Sequence, residues 1–177
     1  MKTDKVTDIM FEIDDIVFYE GFGLCRILEI ENRIFNDVIQ KYYVLKPISD
    51  CASLSTNISV SVDTNRILRK VNDKATALSI IDKLSSINQE WETSYRKREQ
   101  FYKESLESGE LWNFALVVLY VYKERLKYQI DKKPFPSKDT QYYTKAEMYF
   151  NQEMGYILGI PQKDVPDFIS KRIEQQK

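Results

Sequence analysis

The feature that most constrains this chain is a change of periodicity at Val71, where apolar residues stop alternating along short runs and begin to recur about every 3.6 positions. Before that point the sequence carries short β-branched and aromatic runs at Ile16–Tyr19, Leu24–Glu31, Tyr42–Lys46 and Ile58–Val62, separated by turn-prone residues. Such runs predict a small antiparallel β-barrel. Gly21 and Gly23 bracket Phe22 where the first run ends, and glycine there permits positive φ in a tight turn. Asn36-Asp37, set between Ile34-Phe35 and Val38-Ile39, predicts a hairpin turn, and Ser49–Asn57 predicts a connecting loop.

Beyond Val71 the spacing predicts helices to the end of the chain. Asn72 or Asp73 is placed to cap a helix carrying Ala77, Ile80, Ile81 and Leu84, and Asn88 to cap a second running from about Gln89 to about Glu107. Ser108-Gly109 then breaks the chain. Leu111, Phe114, Ala115, Val118, Leu119, Tyr122 and Leu126 trace the inward face of a third helix. After a proline-containing loop over Lys132–Ser137, Tyr143, Ala146, Phe150, Met154 and Ile157 trace a fourth, and Ile160-Pro161 starts a short last one. The expectation is an α+β protein of two modules, a barrel over residues 10–71 and an all-α helical bundle over 72–177.

Composition narrows the function. The chain contains no histidine, which removes Ser-His, Cys-His and His-metal arrangements at once. Cys25 and Cys51 have no CxxC spacing, so buried free thiols are the simpler reading than a metal site or a disulfide framework. No paired carboxylates, phosphate loop or nucleophile motif forms a catalytic constellation, and neither a cofactor nor a small-molecule substrate is expected. Met1–Met10 lacks the features of a secretory signal and no apolar run is long enough to span a bilayer, so a cytoplasmic protein without a membrane partner is expected. The formal net charge is −1, with 9 basic against 11 acidic residues before Val71 and 17 against 16 after it. Neither half has the charge of a strong DNA binder, so any nucleic-acid contact must be a local patch or need a partner's help.

Four features remain as candidates. Trp91 precedes Tyr95 by one turn, with Arg96-Lys97-Arg98 following and Gln89, Glu90, Glu92 and Thr93 around it. A Trp–Tyr pair at this spacing is more often a core stripe, but polar neighbours and adjacent cations also suit an aromatic that stacks on or wedges into nucleic acid. A second basic stretch, Lys123 to Lys133, more commonly reads as a solvated face near a helix end, and Trp112 as a residue packed between helices. In the barrel, Asn57–Val62 alternates and lacks proline. If it is an edge strand, Asn57, Ser59 and Ser61 leave its backbone open to strand addition, and if it is paired inside the barrel they do not.

Several segments together resemble the CarD/CdnL family of bacterial RNA polymerase-binding regulators. In the barrel these are Phe11-Glu12-Ile13-Asp14-Asp15-Ile16-Val17-Phe18-Tyr19, Gly21-Phe22-Gly23 and Tyr42-Tyr43-Val44-Leu45. In the helical part they are Trp91-x-x-x-Tyr95-Arg96, Leu106-x-Ser108-Gly109-Glu110, and Ala146 with Glu153. The resemblance implies an SH3- or Tudor-like N-terminal module, shared with transcription-repair coupling factor, that docks on the polymerase β subunit with Arg33 facing it; Ser59 and Ser61 are expected at the same interface from the edge-strand reading of Asn57–Val62. It further implies that Trp91 wedges into the minor groove of promoter DNA at the upstream fork of the bubble, with Arg96 facing phosphate; Tyr95 and Lys97 join them as expected DNA contacts by their spacing. Ser61 departs from the pattern where many members place a second arginine, Asp63 stands in place of a proline, Thr93 and Ser94 in place of basic residues, and Pro136 in place of a capping serine. The function expected is non-enzymatic transcription regulation at the nucleoid, by modulation of open-complex stability. The alternatives are a protein–protein adaptor with a purely structural helical domain and, third, an enzyme, which a deep pocket lined by polar groups would bring back.

Overall fold

The structure, a computed structural model, describes residues 10–35, 38–48 and 56–175. The hairpin turn expected at Asn36-Asp37, most of the loop expected over Ser49–Asn57, Cys51, and all but the last residue of the Met1–Met10 segment lie outside the described residues. The chain divides into two compact units, Met1–Val71 and Asn72–Lys177.

The N-terminal unit is one antiparallel sheet of β1 (Ile16–Tyr19), β2 (Gly23–Phe35), β3 (Val38–Pro47), β4 (Ile58–Ser61) and β5 (Leu68–Lys70), in the order β4-β3-β2-β1-β5. Gly21 and Gly23 adopt φ of 86° and 76° in the β1–β2 connection, the left-handed region that a side chain would strain. Within β2 the register slips between Ile27 and Glu29, so Leu28 is the extra residue of a bulge. The bulge reverses the parity of the strand. Cys25 and Ile27 face the core before it, and Ile30 packs on that same core after it. The core gathers Phe11, Val17, Tyr19, Cys25, Ile27, Tyr43, Leu45 and Val60, with Phe11 edge-on to Tyr43 at 5.7 Å. Cys25 is a free thiol whose pKa burial pushes up to about 12, so it stays protonated and inert.

The sheet is open, which corrects the expected barrel. Closure would require a ladder between β4 and β5, and among the described residues β4 pairs only with β3 and β5 only with β1. The edge strands are too short to do more, and the segment joining them is occupied by turns, with Thr64 N–H donating to Ser61 O (3.0 Å) and Arg66 N–H to Thr64 Oγ1 (3.1 Å). β5 itself, the sequence Leu-Arg-Lys, is too short and too charged to register as a strand in sequence.

The second unit contains α1 (Lys74–Leu84), α2 (Tyr95–Glu107), α3 (Leu111–Ile130), α4 (Ser137–Leu158), a 3-10 turn at Gln162–Asp164, and α5 (Val165–Glu174). Asp73 caps α1 by accepting from Thr76 N–H at 2.7 Å, and Ala77, Ile80, Ile81 and Leu84 are its buried face. Asn72 instead donates through its backbone and its side-chain amide to the buried Glu153 on α4. α3 packs on α1, α2 and α4. Its buried stripe is Leu111, Phe114, Ala115, Val117, Tyr120 and Val121; Tyr122 and Leu126, expected on that face, are exposed. Gly109 and Gly159, both at φ 68°, end α2 and α4. Pro161 precedes the 3-10 turn, and α5 has its own first-turn proline, Pro166.

The largest departure lies before α2. That helix begins at Tyr95 with Ser94 as its N-cap, not at Gln89 behind Asn88. Residues 88–94, Trp91 among them, form an irregular segment.

Candidate functional site

In the segment before α2, backbone groups that a helix would satisfy internally find tertiary partners. Glu92 N–H donates to the Tyr120 hydroxyl at 2.7 Å, and the carbonyls of Glu92 and Thr93 accept from Arg98 Nη1 at 2.9 and 3.0 Å. Farther back, Ile87 O accepts from Lys123 Nζ at 2.6 Å. Trp91 does have apolar neighbours, contrary to expectation. Its ring stacks on Tyr120 at 4.8 Å, lies 6.1 Å from Phe135, and packs partly buried on a cluster of Tyr102, Val117, Tyr120, Val121, Tyr143 and Ala146. The indole is therefore neither free of its unit nor sealed within it.

The three cations after Tyr95 split. Arg96 and Lys97 are exposed, Lys97 with Glu92 at 3.3 Å, whereas Arg98 turns inward and keeps 7% of its surface. Its Nε and Nη2 donate to Asp139 Oδ1 (2.8 Å) and Oδ2 (3.0 Å), and the Tyr102 hydroxyl donates to the same Oδ1 at 2.8 Å. Hydrogen bonding to Asp139 holds the guanidinium well above its ordinary pKa, and burial first, then that hydroxyl bond, pushes the Tyr102 phenol up. Arg98 lies 4.6 Å from the centre of the Trp91 ring and 5.6 Å from that of Tyr95, and Lys138, in the first turn of α4, approaches Tyr95 at 5.1 Å. The second basic stretch is occupied locally: Lys123 with Ile87 O, Arg125 over Tyr143, Lys127 with Glu124, Lys133 with Asp131. Trp112 is partly buried.

In the sheet, β4 is an edge. Its register pairs Tyr42 with Ser61, Tyr43 with Val60, Val44 with Ser59 and Leu45 with Ile58, and Val62 N–H donates to Lys41 O at 2.9 Å. In an antiparallel ladder hydrogen-bonded pairs alternate, so Val62, Val60 and Ile58 turn their backbone groups toward β3. Ser59 turns its N–H and C=O outward, and among the described residues no strand lies beyond it. Arg33 reaches this edge from β2. It donates from Nη2 to Ser59 Oγ and from Nε to Glu31 Oε1, both at 2.7 Å, and sits 5.2 Å from the Tyr42 ring centre. The three residues expected to face a partner, Arg33, Ser59 and Ser61, thus meet on one surface with Tyr42 between them.

Residues 11–72 match the family model of the CarD-like/TRCF RID domain. Over that stretch the N-terminal unit is similar to a RID domain. Domains of this family are protein-interaction modules, generally non-enzymatic, known for interacting with RNA polymerase in transcription factors. No curated protein matches the chain. No helix among the described residues is long and apolar enough to cross a membrane.

Within the N-terminal unit, alternation and the absence of proline marked Asn57–Val62 as a strand but left an edge and an interior position equally open; the sheet order makes it an edge. Tyr42 as part of that edge surface was not legible, since only the β3–β4 register brings it beside Ser61. In the helical unit, Asp139, Tyr102 and Tyr120 were missed as supports of the Trp91 segment. Asp139 and Tyr120 lie on helices whose expected apolar faces were traced without them, and Tyr102 lies on α2, for which no apolar face was traced.

Proposed function

We propose that this chain is a non-enzymatic transcription regulator, working in the cytoplasm at the nucleoid, that docks on the β subunit of RNA polymerase and modulates the stability of the promoter open complex. The observation that carries the reading is a RID-like unit whose β4 edge turns Ser59 outward and gathers Arg33 and Ser61 beside it. A strand of the partner adds to this edge through main-chain hydrogen bonds, while Arg33 supplies a charge of fixed orientation. From that tether the helical unit contacts promoter DNA in the minor groove at the upstream fork. Trp91 and Tyr95 supply aromatic surface, and Arg96 and Lys97 meet phosphates. A contact confined by tethering acts at high effective concentration, so a protein of net charge −1 needs little DNA affinity of its own.

The test is recovery of polymerase subunits on tagged protein from the native extract, with Arg33→Glu in parallel. Wild type retains the β subunit and the variant loses most of it; equal retention removes Arg33 from the interface, and no polymerase on either removes the reading.

A second reading, an adaptor whose helical unit is only a scaffold, is favoured by the stacking of Trp91 on Tyr120. Open-complex lifetime separates the two. Reversing the exposed charges Arg96 and Lys97 shortens it if the helical unit meets DNA and leaves it unchanged if that unit is a scaffold.

A further inference from the structure

We propose that Arg98 is the positioning residue of the Trp91 segment, a guanidinium clamp that fixes the indole in one orientation. Its use to DNA binding rests on the reading above, whereas the clamp rests on geometry. A guanidinium carries five N–H groups in a planar fork. Here one on Nε and one on Nη2 meet the two oxygens of Asp139, and Nη1 meets the consecutive carbonyls of Glu92 and Thr93, the two residues that follow Trp91. The same guanidinium lies 4.6 Å from the indole centre. One side chain thus grips both the backbone after Trp91 and the ring itself.

The anchor is immobile in turn. Asp139 is fully buried and receives a further hydrogen bond from Tyr102, so the fork cannot rotate without abandoning a carboxylate inside the protein. Tyr120 completes the grip with two different groups, its hydroxyl on Glu92 N–H and its ring on the indole face. The segment has no regular hydrogen bonding of its own, so these contacts are what decides where Trp91 points. An aromatic held this way meets its partner without first having to be ordered, which removes one cost of binding. The clamp also divides the cation run: Arg96 and Lys97 remain available to phosphates, and Arg98 is spent internally.

Lysine in place of Arg98 keeps the charge but has no planar fork, so it separates clamping from charge. The experiment uses the full chain with Trp112→Phe, which leaves Trp91 as the one indole, and compares Arg98→Lys and Tyr120→Phe for acrylamide quenching, fluorescence anisotropy, helical circular dichroism and open-complex lifetime. With helicity unchanged, Arg98→Lys is expected to raise the quenching constant about twofold, as local opening frees the segment, to lower the anisotropy, and to lose the lifetime effect. Tyr120→Phe, which deletes only the hydroxyl, is expected to move the same readouts less. A folded Arg98→Lys with the quenching and anisotropy of its parent overturns the clamp. Should Arg98→Lys fail to fold, Tyr120→Phe decides on the same two readouts. Raised quenching with an unaltered lifetime keeps the clamp and removes the DNA-facing role of Trp91.

Discussion

Around Ser59 the chain leaves backbone groups pointing outward and flanks them with small side chains; around Trp91 it draws inward-facing backbone groups onto Tyr120 and Arg98 and stacks rings over them. The first surface is built from what local pairing leaves over, the second from long-range contacts that replace local pairing. Substitutions should therefore act differently in the two places. At the edge they should change binding and spare stability, and in the aromatic cluster they should change stability first.

Asp139→Ala is expected to have the largest effect, because it strands the Arg98 guanidinium and the Tyr102 hydroxyl in the interior. Loss of such a buried partner costs about 3–5 kcal/mol, read from denaturant unfolding of the helical signal. A cost near zero would mean that the cluster is not closed. Trp91→Ala comes next. A partly buried indole stacked on Tyr120 should lose about 2 kcal/mol when truncated, so a shortened open-complex lifetime in this variant mixes lost contact with lost packing. Arg33→Glu sharpens the contrast from the other side. Its side chain is about half exposed, so stability should stay within about 0.5 kcal/mol of wild type while docking weakens about tenfold or more by equilibrium titration. Smallest in stability is the pair Arg96→Glu and Lys97→Glu, at exposed positions of α2, expected to leave unfolding unmoved and yet to shorten the open complex.

The same contrast explains what could be read from the residues. Ile16–Tyr19, the α1 face Ala77, Ile80, Ile81 and Leu84, and the α4 face Tyr143, Ala146, Phe150 and Met154 follow from periodicity, since each element buries one side. The open sheet, expected as a barrel, could not be read, because whether β4 and β5 pair is a long-range property of two very short strands. The start of α2 was misplaced for a related reason. Asn88 is an adequate cap, and nothing local signals that Tyr120 and Arg98 will compete for the backbone beyond it. The inward turn of Arg98 was equally hidden, since its partner Asp139 stands on another helix. In the N-terminal unit alternation gave the strand but not its place at the edge, and in the helical unit the residues could be named but not their surroundings.

The open edge of β4 is tested most directly by Ser59→Pro in the full chain. Ser59 N–H faces away from β3, so proline leaves the ladder intact but removes the outward donor and obstructs an added strand. Titration against purified polymerase, with circular dichroism matched to wild type, should show affinity weakened about tenfold or more. Wild-type affinity in a correctly folded Ser59→Pro protein would contradict docking through this edge.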